Sequence, residues 1–477
     1  MQVRLCTSIF ALPILCLTVG AARAERLPPV QDTNEARFVP QENLPAPTTA
    51  RPMQVRSDVK PEQVANPCPR LRLEDLEEIA LGNNPTLVKA SAAVQAARGN
   101  WLQVGLYPNP NVAYLGTQIG DQSTAGQQGG YIEQEFVRGG KLRLNRSVAA
   151  REIEISQREF AAQRMRVLND IRTRFFDALV AQQQKDIAQE LVGVGDQAVR
   201  SAEDLLRAQE VSRVDLLQAQ VEVNEARLLA VNASNRYQAA WRQLAALAGV
   251  PGMNQMQLEG DLLQDMPEFT WEESVNRILT ESPELSASRT DVDRALWALR
   301  RARVEPIPNV TIQAGPQYDL GNNQTITNVN VVLPAPVFDK NQGNIRRAEA
   351  EVRSARAEVA RKELELTTRL ASSFERYLNA RNQATQYRKE IMPRAREAFD
   401  LVKSGYRQGE ISYLVLLTTQ RTFFRANLAY LESMRELWES SIAIDGLLLT
   451  DSLQDTTSQR LTRPPAMPLP RSPFDGE

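Results

Sequence analysis

The 477-residue sequence contains no histidine. That absence excludes a Ser-His-Asp or Cys-His nucleophilic centre and every imidazole metal site. No motif organises carboxylate or lysine chemistry in their place, so no catalytic, cofactor-binding or metal-binding residue is assigned. Cysteine is limited to Cys6, Cys16 and Cys68. Excess charge of one sign is missing too: 56 basic against 58 acidic residues gives a net charge of −2, without the basic footprint of a nucleic-acid-binding domain. No continuous apolar run reaches the roughly 18 residues of a transmembrane helix. If the chain enters a membrane, it must do so as β-strands. The composition leans against an enzyme.

The N-terminus carries an export signal. Arg4 precedes an apolar run from Leu5 to Gly20, followed by Ala22-Arg23-Ala24, a small-x-small cleavage pattern. Cleavage after Ala24 removes Cys6 and Cys16 and leaves Cys68, which alone makes no internal disulfide. Cys68 reads as either a free thiol or a lipid attachment site. Leu15, ahead of Cys16, is not the small residue that lipoprotein processing prefers.

Proline divides the rest. Of 27 prolines, one lies in the signal, nine in residues 25–70 and five in 464–473, so both tails read as irregular polar segments. Residues 141–248 contain none, and 337–450 contain only Pro393. A proline costs about 3 kcal/mol inside a helix, so these two stretches can be very long helices. Their apolar residues keep helical spacing: Leu168, Ile171, Phe175 and Leu179 in the first, Val352, Ala355, Val359, Leu366 and Leu370 in the second. Gly193 and Gly195 align with Pro393 and predict a bend or break at the same level in both.

The chain is an internal duplication. Asn84-Pro85-Thr86-Leu87 repeats as Ser282-Pro283-Glu284-Leu285, and Tyr107-Pro108-Asn109-Pro110-Asn111-Val112 as Glu305-Pro306-Ile307-Pro308-Asn309-Val310, both 198 residues on. Val211-Ser212-Arg213-Val214-Asp215-Leu216-Leu217 returns 200 residues later as Ile411-Ser412-Tyr413-Leu414-Val415-Leu416-Leu417. The expected organisation is a signal peptide 1–24, a Pro-rich segment 25–70, a first repeat 71–268, a second repeat 269–450 and a Pro-rich tail 451–477. Each repeat opens with short helices. A β-hairpin follows (111–137, with strands 111–119 and 129–137; 309–333, with strands 309–318 and 325–333), then a helical hairpin (141–249; 339–450).

The strands alternate. Val310, Ile312, Ala314 and Tyr318 oppose Thr311, Gln313 and Gln317, while Val329, Val331 and Leu333 oppose Asn328 and Asn330. Apolar-out, polar-in strands of this length suit an outer-membrane barrel. They also suit an ordinary half-buried hairpin; the export signal and the hairpin's recurrence in each repeat favour the barrel. Four strands cannot close one, and lipid does not tolerate open edges, so protomers must share it.

The paired Asn-Pro and Ser-Pro helix starts, the Pro-Asn-Pro-Asn lead into the first strand pair, Leu333-Pro334-Ala335-Pro336-Val337-Phe338-Asp339 and the two segments ending in Gln220 and Gln420 resemble the TolC-type outer-membrane efflux proteins over residues 71–450. Phe338-Asp339-Lys340-Asn341-Gln342-Gly343-Asn344 is similar to the branch linked to heavy-metal (cobalt-zinc-cadmium type) efflux. The resemblance implies a mainly α fold with β: a homotrimer with a 12-stranded barrel, four strands per protomer, in outer-membrane lipid of a Gram-negative-type envelope, continuing into a helical coiled-coil tunnel in the periplasm. It implies a passive duct without catalysis, working with a periplasmic adaptor (membrane fusion) protein and an inner-membrane pump. The adaptor would dock on the tips at Val211, Ser212, Arg213, Gly409, Ile411, Ser412 and Tyr413, with Val211, Arg213, Ile411 and Tyr413 exposed. Gln209 replaces the glycine that the second tip has at 409. Such ducts often narrow at an acidic ring, and Asp215 is the acid so placed here; a helix-start aspartate favoured by the macrodipole is its plainer role. The rival reading is a soluble periplasmic coiled-coil adaptor or scaffold, which usually contains one helical hairpin rather than two.

Overall fold

A computed structural model describes residues 70–120, 125–209, 211–262, 268–408 and 410–454. The expected signal peptide, Cys68, Gly409 and the tail beyond 454 lie outside them. Each half opens with two consecutive helices: α1 (Leu73–Asn83) and α2 (Pro85–Gln103), then α5 (Trp271–Glu281) and α6 (Pro283–Val304). The repeated Asn-Pro and Ser-Pro pairs explain the junctions. Proline takes the first helical position, where no N–H is required, and the residue before it is pushed to an extended backbone that caps the helix. Buried Asn84 accepts from Thr86 N–H (2.9 Å) and donates to the Leu247 carbonyl (2.9 Å).

The strands β2 (Asn111–Thr117), β3 (Gln127–Phe136), β5 (Val310–Asp319) and β6 (Gln324–Val332) form one antiparallel sheet in the order β2-β3-β5-β6. A separate short parallel pair joins β1 (Arg70–Leu71) to β4 (Gln257–Leu258). The first hairpin departs from expectation. β2 stops at Thr117 rather than 119, because Gln118 takes a left-handed φ of +56°, and β3 starts two residues early. Pro316, which has no N–H to give the ladder, lies opposite Gly130. Beside it, Gly129 and Gly315 let the backbones close up: a Cβ on either would run into the facing strand.

Both hairpins turn into long helices through a left-handed corner residue, Gly140 (φ +65°) before α3 (Lys141–Arg207) and Asn341 (φ +60°) before α7 (Gln342–Gln386). The 67 residues of α3 make a rod about 100 Å long. Its sheetward part is flanked by α2 and α6, as in Asn100 to Glu152 (3.0 Å) and Arg301 to Asn145 (2.7 Å). The shorter α4 (Arg213–Leu247) lies along the far part, where Arg227 pairs with Asp196 (3.0 Å).

The expected pair of breaks is found in one half only. α3 runs unbroken through Gly193 and Gly195, and Gly195 instead admits Val223, which a Cβ would meet at 3.1 Å. In the second half a π-turn at Tyr387–Ile391 separates α7 from α8 (Met392–Arg407), just ahead of Pro393. Proline removes a ladder donor and clashes with the preceding turn, whereas glycine merely weakens a helix held by its neighbours.

The main core lies at the waist. Leu76, Ile171, Phe175, Trp241, Leu244, Ile278, Leu366, Tyr377, Met434 and Leu437 meet there from both halves. Gln182 of α3 acts as an extra edge for β4, accepting from Leu258 N–H (3.0 Å) and donating to its carbonyl (3.1 Å). After α9 (Tyr413–Asp445) the chain tucks Leu447, Leu448 and Leu449 into this core, where Asn169 binds the carbonyls of Gly446 (3.0 Å) and Leu449 (2.7 Å).

Candidate functional site

The strand register sorts the sheet into two faces. Val112 and Tyr114 align with Ile132, then with Ile312 and Ala314, then with Val331 and Val329. This face is mainly apolar and exposed, with Gln128, Gln134, Thr325 and Thr327 among its side chains. The opposite face carries Asn111, Glu133, Glu135, Gln313, Gln317, Asp319, Asn328 and Asn330, and the four strands hold no lysine or arginine. One polar row crosses the whole sheet. Asn111 donates to Glu133 (3.2 Å), Gln313 donates to the other Glu133 oxygen, and Asn330 donates to Gln313 (3.2 Å). The outer strands β2 and β6 have no pairing partner beyond the sheet among the described residues.

At the far end the two helical hairpins pack together. Ala202 of α3, Ala219 of α4 and Tyr413 and Leu416 of α9 form a small core with Phe399, Val402 and Tyr406 of α8. Arg421 of α9 reaches Glu222 of α4 across this join. The first turn forms although glycine is missing: Gln209 takes the left-handed conformation itself (φ +62°). Ser212 and Asp215 make a reciprocal capping box. Asp215 N–H donates to Ser212 Oγ (3.3 Å), and Ser212 N–H and Oγ–H donate to the Asp215 carboxylate (3.0 and 2.9 Å). Ser412 holds the matching position but makes no side-chain cap bond.

The expected exposure of the tip residues needs correction. Ser212, Arg213 and Ser412 are exposed, but Val211 and Ile411 are half-buried, Ile411 lying against Gly405. Tyr413 is only 8% exposed. It faces inward because it sits one turn before Leu416 on the apolar stripe, a phase the sequence already carried. Burial pushes its phenol up to about 12. The apolar side chains that do face outward are Val214, Leu217, Leu414 and Val415. The stripe's phase, followed back to the turns, would have found them.

Among the described residues no helix is long and apolar enough to cross a membrane, and no group of three or more acidic or cysteine side chains is placed to hold a metal ion. What the described residues present is a two-faced sheet on a pair of long helical hairpins. Residues 76–250 and 274–448 each match the outer membrane efflux protein family. The chain belongs to that family. It is an outer-membrane efflux channel protein with a TolC-type fold, which decides against the periplasmic scaffold. Similar proteins include the cobalt-zinc-cadmium resistance protein CzcC of Cupriavidus metallidurans, 28% identical over 394 residues, covering 82% of this chain and 92% of the relative. The nickel-cobalt-cadmium resistance protein NccC of Alcaligenes xylosoxydans is 25% identical over 290 residues, 59% of this chain and 64% of the relative. Among solved structures, CusC superposes with a TM-score of 0.67 at 17% identity, over 80% of this chain and 93% of CusC. The outer membrane protein VceC of Vibrio cholerae superposes at 0.64 and 16% identity, over 79% and 96%. At such identities the structural likeness speaks for the fold.

Proposed function

We propose that three copies of this efflux protein share one 12-stranded barrel continuing into a helical tunnel, and that the assembly is a passive duct for divalent heavy-metal cations. The observation that carries this reading is the four-stranded sheet with one apolar face, one polar face and two open edges. Lipid leaves no unpaired strand edge, and four strands are too few to close, so neighbouring copies must supply the missing pairing. The chain supplies the passage and no bond-breaking step; the driving energy comes from an inner-membrane pump through a periplasmic adaptor. The adaptor docks on the tips through Ser212, Arg213 and Ser412, the half-buried Val211 and Ile411, and their exposed apolar neighbours Val214, Leu414 and Val415. Gly409, outside the described residues, joins this surface by its place in the sequence, and Tyr413 supports the second tip from inside. Asp215, besides capping α4, contributes to a threefold acidic ring that attracts cations. An Asp215→Ala trimer whose conductance keeps its cation dependence removes that ring.

Metal cations as cargo rest on the relatives named for cobalt, zinc, cadmium and nickel resistance and on the acidic inner face of the sheet. Deleting the gene is expected to lower tolerance to cobalt, zinc and cadmium several-fold, with restoration by the intact gene. Unchanged metal tolerance beside lost tolerance to organic toxicants overturns the cargo and leaves the duct.

A further inference from the structure

The duplication places one joint inside the chain and leaves its counterpart open. Strands β3 and β6 leave the sheet toward α3 and α7, while β2 and β5 are reached from α2 and α6, so all four of these ends lie at the helical end of the sheet. Where β3 leaves, it meets the lead into β5. Asn309 accepts from the backbone N–H of Arg138 (3.2 Å) and from Lys141 Nζ (3.2 Å), and donates to Glu135 (2.6 Å). Ile307 lies over Gly139, where a Cβ would come within 3.0 Å of it. Lys141 is closed in beside Glu305 at 3.6 Å. Burial lowers its pKa, an effect the Glu305 carboxylate opposes.

The counterparts of these pieces, one from each half, lie on the outer edges of the sheet. The 198-residue offset relates Asn309 to Asn111, Ile307 to Asn109, and Val304 and Glu305 to Leu106 and Tyr107. Aligning the left-handed corners Gly140 and Asn341 relates Val137 to Phe338 and Arg138 to Asp339. Within one protomer these two groups sit on opposite edges of the sheet and are exposed. Phe338 is 92% exposed, more than any lipid-facing side chain of the sheet, and Tyr107 is 65% exposed.

We infer that the joint between β3 and β5 is the template for the polar contact between protomers: the side chain of Asn111 of one copy accepts from the backbone N–H of Asp339 of its neighbour, and that approach sets the bare Phe338 against the exposed Leu106 and Tyr107 ahead of Asn111. The inference rests on the shared barrel proposed above and names the surface that closes it. Antiparallel pairing of β6 with the next copy's β2 brings these segments side by side at the base of the barrel. It also covers an aromatic side chain that is otherwise bare.

The test is disulfide trapping in the full-length protein. Phe338→Cys is combined with Tyr107→Cys and, separately, with Leu106→Cys, with each single variant as a control for Cys68. Oxidation with copper-phenanthroline is expected to give reductant-sensitive covalent dimers and trimers in a double variant and none in the single ones. A trimer by mass in detergent that stays uncrosslinked in both double variants overturns the seam and leaves the shared barrel standing. If bimane on Phe338→Cys is quenched by brominated lipid in such a trimer, the loop lies in the bilayer instead. An unmodified chain that is monomeric by mass removes the shared barrel, and the seam with it.

Discussion

Glu284 shows how single residues bind the two halves together. Its carboxylate, mostly buried at the start of α6, receives Arg166 from α3 and Arg369 from α7, the latter at 3.4 Å. Removing one member of such a network strands buried charge, at a cost of about 3–5 kcal/mol. Glu284→Ala is therefore expected to lower the thermal midpoint clearly, whereas Arg174→Ala, at a more exposed pair, leaves it nearly unchanged. Tyr413 gives a pH prediction. Its phenol is held neutral by burial, with Glu222, Tyr406 and Asp215 pushing the same way and Arg421 opposing. A folded pKa near 12, above the roughly 10 of an unfolded tyrosine, means its contribution is full below about pH 10 and is lost as pH rises through 12. Hydrogen exchange at 411–420 is expected to accelerate over that range, and less so in Tyr413→Phe. Equal acceleration in both proteins contradicts this assignment.

The elements follow from rules the sequence displays openly. Proline at 85 and 283 sets two helix starts, its absence from 141–248 permits α3, and alternation in 310–318 sets the faces of β5. Two features were not legible. Gly193 and Gly195 look like a break, but helix continuity depends on what packs around them: Gly195 is a contact for Val223, and Gly193 has open space. Gly193→Ala is therefore expected to raise the midpoint, by up to about 1 kcal/mol in helix propensity. Gly195→Ala loses part or all of that gain against Val223. Equal gains from both substitutions, read from thermal unfolding, contradict the packing account. The second feature is a pair of turns, at the end of β2 and between α3 and α4, where Gln118 and Gln209 take left-handed conformations that no glycine announces. The capping role of Asp215 could have been anticipated from its spacing to Ser212, since a reciprocal cap needs that separation. The inward turn of Tyr413 is likewise present in the stripe, three residues before Leu416, although its place beside the turn suggests exposure.

At the scale of the whole molecule, the function hangs on the sheet's two faces. Val331→Arg puts a charge on the apolar face, expected to cost about 2–4 kcal/mol near the bilayer midplane, and should reduce the assembled protein recovered from outer membranes. Gln313→Arg, on the polar face, should assemble normally and weaken cation preference by opposing Glu133. Equal loss of assembly in both variants would mean that the faces are misassigned. Single-channel conductance of the detergent-purified protein in a planar bilayer, after its mass is determined, decides whether the sheet forms a shared barrel around a pore. A trimer giving discrete, long-lived, cation-preferring steps is expected. A trimer that inserts but passes no current, or a monomer that never inserts, contradicts it.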